Sequence, residues 1–178
     1  MEFSPDAKRA FQLQSYGPSP VIDGVALVPL ARHVDDGGAM TELVRLHDGQ
    51  AEALSGFTVR QVNVSELAPG VVKAFHLHVR QTDVWYVAPS DRMLVVLLDT
   101  RRGSTTEGVR MRLVLGDGSS RLLRIPPGVA HGVRNLAATP GSIIYFTDLH
   151  FSAAPASCDE GRLPWDFAGS DVWEIARG

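Results

Sequence analysis

The chain is predicted to fold as an all-β sandwich or barrel forming a single domain. Short runs rich in Val, Ile and Leu recur along it, Gly and Pro turns separate them, and no long segment keeps a helical period. A chain of 178 residues is long enough for one domain to bury a substantial core.

Residues 1–20 are polar and broken by Pro5, Pro18 and Pro20, which predicts an arm or short helix ahead of a domain over 21–178. Val21 to Leu30 is apolar and reads as the first strand, and Gly37-Gly38 turns the chain into a second. His33 reads as a surface turn residue, and His47 and His150 also read as surface. From Phe57 the alternation is clean. Phe57, Val59, Gln61, Asn63 and Ser65 share one face, and Thr58, Arg60, Val62 and Val64 share the other. A face carrying both Gln61 and Asn63 is either solvated or lines a wet cavity.

Met93 to Leu98 is apolar at every position, which fits a strand buried on both sides and, by pattern alone, also a short core helix. Val109, Met111, Leu113 and Leu115 alternate with Arg110 and Arg112, giving one core face and one basic face that reads as solvated. Gly116-Asp117-Gly118 is a hairpin signal. Ser142 to Asp148 is a further strand with Tyr145 and Thr147 on one face. The tail from Pro155 is irregular, and burial of Trp165 and Trp173 is expected to pin it.

A formal net charge of -3 argues against nucleic-acid binding. No apolar run reaches membrane-spanning length, and Met-Glu-Phe-Ser-Pro-Asp lacks a basic region followed by an apolar stretch, so a cytoplasmic enzyme or binder is expected. The single cysteine, Cys158, excludes an intrachain disulfide and suits a reducing compartment.

The chemistry concentrates between Gly70 and Asn135. Gly70-Val-Val-Lys-Ala-Phe-His76-Leu-His78 opens this stretch, and Pro126-Pro-Gly-Val-Ala-His131-Gly-Val-Arg-Asn135 closes it. In a strand His76 and His78 leave the same face, and the Pro-Pro-Gly turn aims His131 from another strand, so three imidazoles can meet in one cavity. Gly128 and Gly132 are both read as turn glycines. The two segments resemble the two-part signature of the cupin jelly-roll. A cupin cavity is commonly a metal site, and His76, His78, Asp83 and His131 stand at its ligand positions, a set suited to iron, zinc, nickel, copper or manganese. Strand alternation sets Asp83 opposite His78 unless the strand bulges, so Asp83 reads first as a structural partner.

The flanking residues resemble a metal-free branch of the cupins, the dTDP-4-dehydrorhamnose 3,5-epimerase family. The likeness runs through Asp36 to Glu42, Gln61-Val-Asn63-Val-Ser65, Leu98 to Ser104, Ile144-Tyr-Phe-Thr-Asp148 and Asp159-Glu-Gly-Arg-Leu-Pro-Trp-Asp166, from about Val21 to Trp173. It implies an epimerase or isomerase of a dTDP-linked 4-keto-6-deoxy sugar that needs no cofactor. His76 falls at the position of the base that takes the proton beside the ketone, and Tyr145 at that of the acid on the opposite face. An imidazole of ordinary pKa about 6.5 is largely neutral at pH 7, whereas a phenol near 10 is protonated. The resemblance also places Gln61, Asn63, Lys73, His78 and His131 around the sugar, Phe151 against the nucleotide base, and Glu42 on the nucleotide side. It further implies a homodimer built by pairing edge strands.

Four positions depart from the family pattern. Lys73 replaces an arginine, Gly37 another arginine, Asp83 a lysine and His78 a glutamine. The aspartate that orients the base has no evident counterpart, with Asp166 and Asp171 as candidates. Two further readings therefore stand beside the first: a metal-dependent cupin using His76, His78, Asp83 and His131, and a cupin that binds a sugar without turning it over.

Overall fold

Residues 2–14 and 17–175 are described in a computed structural model of the chain. A short helix, α1 (Pro5–Ala10), capped by Ser4 and burying no residue, precedes the strands. In chain order these are β1 (Ala26–Pro29), β2 (Arg32–Asp35), β3 (Gly38–Thr41), β4 (Leu46–His47), β5 (Gln50–Ala51), β6 (Gln61–Leu67) and β7 (Val72–Leu77). There follow β8 (Asp83–Val87), β9 (Arg92–Asp99), β10 (Arg110–Gly116), β11 (Arg121–Ile125), β12 (Val129–Asn135), β13 (Gly141–Thr147) and β14 (Gly161–Arg162).

Two five-stranded antiparallel sheets form the body, ordered β1-β11-β8-β13-β6 and β10-β9-β12-β7-β14. From β6 to β9, and again from β10 to β14, each successive strand crosses to the other sheet. This is a jelly-roll, the all-β class that the turn-punctuated sequence predicts.

β9 shows why a strand can be apolar at every position. Met93, Val95 and Leu97 point between the sheets into the central core. Leu94, Val96 and Leu98 point outward, where Phe75, Val172 and Trp173 cover them. Phe75 and Trp173 lie ring to ring at 5.3 Å, each fully or almost fully buried and each worth roughly 1.5–3 kcal/mol of burial on the scale of large apolar side chains. The guanidinium groups of Arg110 and Arg112 donate to the carbonyls of Ala168 (2.9 Å) and Glu174 (2.6 Å), so the basic face expected to be solvated clamps the tail instead. Trp173 is 3% exposed and Trp165 is 53% exposed; of the two tryptophans expected to pin the tail, only Trp173 is buried.

Three local expectations are corrected. Gly116-Asp117-Gly118 closes no hairpin, because β10 and β11 lie in different sheets. Its Asp117 and Gly118 N–H groups donate to the carbonyls of Asp91 and Pro89. A Cβ on Gly116 would stand 2.2 Å from the Asp91 carbonyl, so the glycine permits a close approach between turns. Gly128, at φ +77°, is a turn glycine as expected, but Gly132 lies inside β12, where an added Cβ would meet Ala74 at 2.4 Å and Trp173 at 2.8 Å. Finally, the alternation from Phe57 does not run through to Ser65. β6 begins at Gln61, whereas Phe57 and Val59 belong to the outer cluster with Val84, Tyr86 and Leu122.

Candidate active site

Between the sheets lies a cavity of about 660 Å³, well within the size range of small-molecule sites. One sheet contributes Ser65 from β6, Asp83 and Trp85 from β8, and Ile143 and Tyr145 from β13. The other contributes Lys73 and His76 from β7, His131 and Val133 from β12, and Arg162 from β14, with His78 just beyond β7. Gln81, Phe151 and Glu160 complete the lining.

Simple alternation would send Lys73 and His76, three residues apart, to opposite faces. Both face the cavity because the register slips. His76 pairs with His131 and Lys73 with Val133, so three steps on β7 answer two on β12, the signature of a β-bulge. Lys73 Nζ donates to Ser65 Oγ (3.1 Å) and to the Glu66 carbonyl (2.7 Å), which uses two of an ammonium group's three donors.

The tail builds the rest of the site. Asp159 accepts the backbone N–H groups of Val79, Arg80 and Gln81, closing the turn after His78. Gly161 then pairs with Leu77 and Arg162 with His76. A Cβ on Gly161 would sit 2.7 Å from the Leu77 carbonyl oxygen. That approach delivers Glu160, whose Oε1 accepts from His76 Nδ1 at 2.7 Å. The bond to His76, foremost, and the charges of His76, His78 and Arg162 hold the Glu160 carboxyl below its ordinary value against the opposing effect of burial. The carboxylate that orients His76 is thus Glu160, not Asp166 or Asp171. The signal that could have found it is the charged pair Asp159-Glu160 directly before a glycine able to approach a strand edge.

Deeper in the wall sit His78, Asp83 and His131, all buried, with ligand atoms within 4.8 Å of one another. His78 and Asp83 belong to different strands separated by the 79–82 turn, so alternation does not carry from one to the other and both reach the interior. Gln81 Nε2 and Trp85 Nε1 donate to the Asp83 carboxylate at 2.7 and 3.1 Å. Burial pushes the Asp83 carboxyl up, but the His131 and His78 imidazoles and the Gln81 amide outweigh it and hold the pKa at about 2. Burial, with the charges of Asp83 and Glu160, raises the Tyr145 phenol above its ordinary 10.0.

The other expected site residues fall less centrally. Gln61 donates to Asn63 (2.8 Å) and accepts the Phe151 N–H (2.9 Å), tethering an aromatic ring that is 63% exposed at the cavity's edge. Asn63 is the register partner of Tyr145. Glu42 is not brought to the cavity. It follows the β2–β3 hairpin, is exposed, and pairs with Arg45 at 2.9 Å. His47 and His150 are exposed as expected; His33 is exposed too but lies within β2 rather than in a turn, and Cys158 is exposed.

The dTDP-4-dehydrorhamnose 3,5-epimerase model matches residues 20–165. The spore coat polysaccharide biosynthesis protein SpsL of Bacillus subtilis is 42% identical over 146 residues, spanning 82% of this chain and 91% of that one. A solved dTDP sugar isomerase from Desulfovibrio desulfuricans superposes with a TM-score of 0.72 at 27% identity, over 87% of this chain and 91% of that chain. A dTDP-6-deoxy-D-glucose-3,5-epimerase from Legionella pneumophila does so with a TM-score of 0.65 at 26% identity, over 75% and 71%. Jelly-roll, cavity and likeness together define an epimerase-type enzyme. In particular, the chain belongs to the dTDP-4-dehydrorhamnose 3,5-epimerase family.

Proposed function

We propose that the chain epimerises a dTDP-linked 4-keto-6-deoxyhexose, with His76 as the base and Tyr145 as the acid. The observation that carries this reading is that the two residues line one cavity from opposing sheets, His76 on β7 and Tyr145 on β13. A sugar ring between them presents one face to each. The Legionella enzyme was solved in complex with dTDP-4-keto-L-rhamnose, which agrees in substrate class.

Glu160 accepts from His76 Nδ1, so the neutral ring carries its proton there and its Nε2 lone pair is the basic atom. That atom takes the proton from the carbon beside the C4 ketone, and the electron pair moves into an enolate. Lys73, with one donor beyond its two protein bonds, and the donors around it offset the charge on the enolate oxygen. Tyr145 returns a proton to the opposite face, which inverts the carbon. The raised phenol keeps that proton available at neutral pH. Phe151, exposed at the rim, offers a surface for the base.

The same reading takes the protein as a cytoplasmic homodimer. The β2–β3 hairpin joins neither large sheet and exposes Val34 and Met40, and β6 ends its sheet with Val62 and Val64 outward and exposed. Among the described residues no helix is long and apolar enough to cross a membrane.

The test is proton exchange. With a dTDP-4-keto-6-deoxyhexose in heavy water, NMR is expected to show loss of the C3 or C5 proton signals far faster than in buffer, and His76→Ala to abolish it. Exchange no faster than in buffer, or full activity in His76→Ala, rejects the assignment.

A further inference from the structure

We infer that Arg162 is the residue that grips the diphosphate of the nucleotide-sugar, a binding role that rests on the epimerase reading of the same cavity. This chain lacks two arginines of the family pattern, having Lys73 and Gly37 in their places, so the charge that faces a diphosphate has to come from elsewhere. Imidazoles aside, the basic side chains that line the cavity are Lys73 and Arg162. The Lys73 ammonium already donates to Ser65 Oγ and the Glu66 carbonyl.

Strand register places Arg162 beside the base. His131 pairs with His76 across β12 and β7, and His76 pairs with Arg162 across β7 and β14. Directly opposed residues share a sheet face, so the three make one row across the sheet, with about 5 Å between strands. All three line the cavity. Their side chains open progressively along the row, from 2% exposed at His131 to 26% at His76 and 62% at Arg162. β14 is the last strand of its sheet, so the row runs from the floor of the cavity, past the base, to its mouth. A hexose with its reacting carbon at His76 and its C1 substituent leading out toward Phe151 brings the phosphate oxygens to the next place in that row.

A guanidinium suits that place, because its rigid fork of five donors takes phosphate oxygens two at a time. Among the described residues the ion-pair partner of Arg162 is Glu160 Oε1 at 3.4 Å, an oxygen that also accepts from His76 at 2.7 Å. Most of the fork is therefore open to a ligand. The cavity wall also carries two carboxylates, Asp83 and Glu160, which repel an incoming dianion. Arg162 offsets that repulsion where the diphosphate enters, and it binds and orients without moving a proton.

The experiment is calorimetry with dTDP, inorganic pyrophosphate and thymidine as probes, set beside steady-state kinetics on a dTDP-4-keto-6-deoxyhexose. Arg162→Gln is expected to weaken dTDP and pyrophosphate binding roughly tenfold to 150-fold, as for a lost charge-assisted hydrogen bond, and to leave thymidine binding unchanged. KM should rise while kcat stays within about threefold of wild type. Arg162→Lys, which keeps the charge without the fork, should recover part of the affinity. The side chain is open at a sheet edge, so both variants should fold, which circular dichroism checks. A dTDP affinity within about twofold of wild type in Arg162→Gln, or a wild-type protein that binds neither dTDP nor pyrophosphate, overturns the inference. A loss confined to kcat overturns it too, since Arg162 would then act through Glu160 on the base. Arg162-dependent dTDP binding without proton exchange at the sugar would sink the epimerase reading and leave the diphosphate site standing.

Discussion

Removing the Glu160 carboxylate tests the assembly of the site most directly. Glu160 Oε1 accepts the His76 Nδ1–H at 2.7 Å, and in the proposed reaction that bond would strengthen as His76 takes the substrate proton and becomes cationic. A charge-assisted hydrogen bond is worth about 1.5–3 kcal/mol, and about 1.4 kcal/mol corresponds to tenfold in rate. Glu160→Ala should therefore lower kcat roughly tenfold to 150-fold, with KM changed little, because the carboxylate acts on the base rather than on the sugar. Its side chain is only 30% exposed and the bond also stabilises the fold, so the thermal midpoint should fall by a few degrees as well, and the kinetic loss is read on enzyme kept below that midpoint. Glu160→Asp, which keeps the charge but shortens the reach, should recover part of the loss. Steady-state kinetics and NMR proton exchange give the readout. A Glu160→Ala enzyme with unaltered kcat, or one whose whole defect lies in KM, would refute the role given to the dyad.

Tyr145→Phe should slow product formation about a hundredfold to ten-thousandfold, the usual contribution of a general acid; a kcat within threefold of wild type would remove the tyrosine from the chemistry. Asp99 accepts from Arg101, Ser104 and Thr106, and Asp99→Ala should cost about 3–5 kcal/mol in urea unfolding, as for a broken buried ion pair. The Arg101 guanidinium, foremost, and the Ser104 and Thr106 hydroxyls hold the Asp99 carboxyl well below its ordinary 3.8. Its stabilisation is therefore complete above that value and drains away as pH falls beneath it; unfolding midpoints that drop equally steeply below pH 4 in Asp99→Ala would contradict this. Gly132→Ala places a methyl against Ala74 and Trp173 and should destabilise by about 1–3 kcal/mol, visible as a lower midpoint. Light scattering should give twice the chain mass, and a charge introduced at Val64 should shift it toward one.

Much of the site was legible because it is encoded locally. The Gly-to-His76-x-His78 and Pro-Pro-Gly-to-His131 segments carry the turn residues and the imidazoles together. Tyr145 lies on a strand whose apolar run is plain. What failed were readings that extended a local rule across a break. Alternation breaks between Val59 and Gln61, where β6 begins, and again between His78 and Asp83, where a turn intervenes. The Gly-Asp-Gly signal marked a turn correctly, but no local pattern says whether the strands flanking it share a sheet.

The sequence alone determined the all-β class, most of the turns and the residue types that come to line the cavity, since each depends on periodicity or on the conformational freedom of neighbouring residues. Only the tertiary structure decided that Glu160 bonds His76, that a bulge turns Lys73 inward beside it, and that His78 and His131 come together around the Asp83 carboxylate. These arrangements join residues from separate strands and from a tail about eighty residues away. Their geometry is set by how the two sheets and the docked C-terminal segment pack, which no short stretch of chain contains.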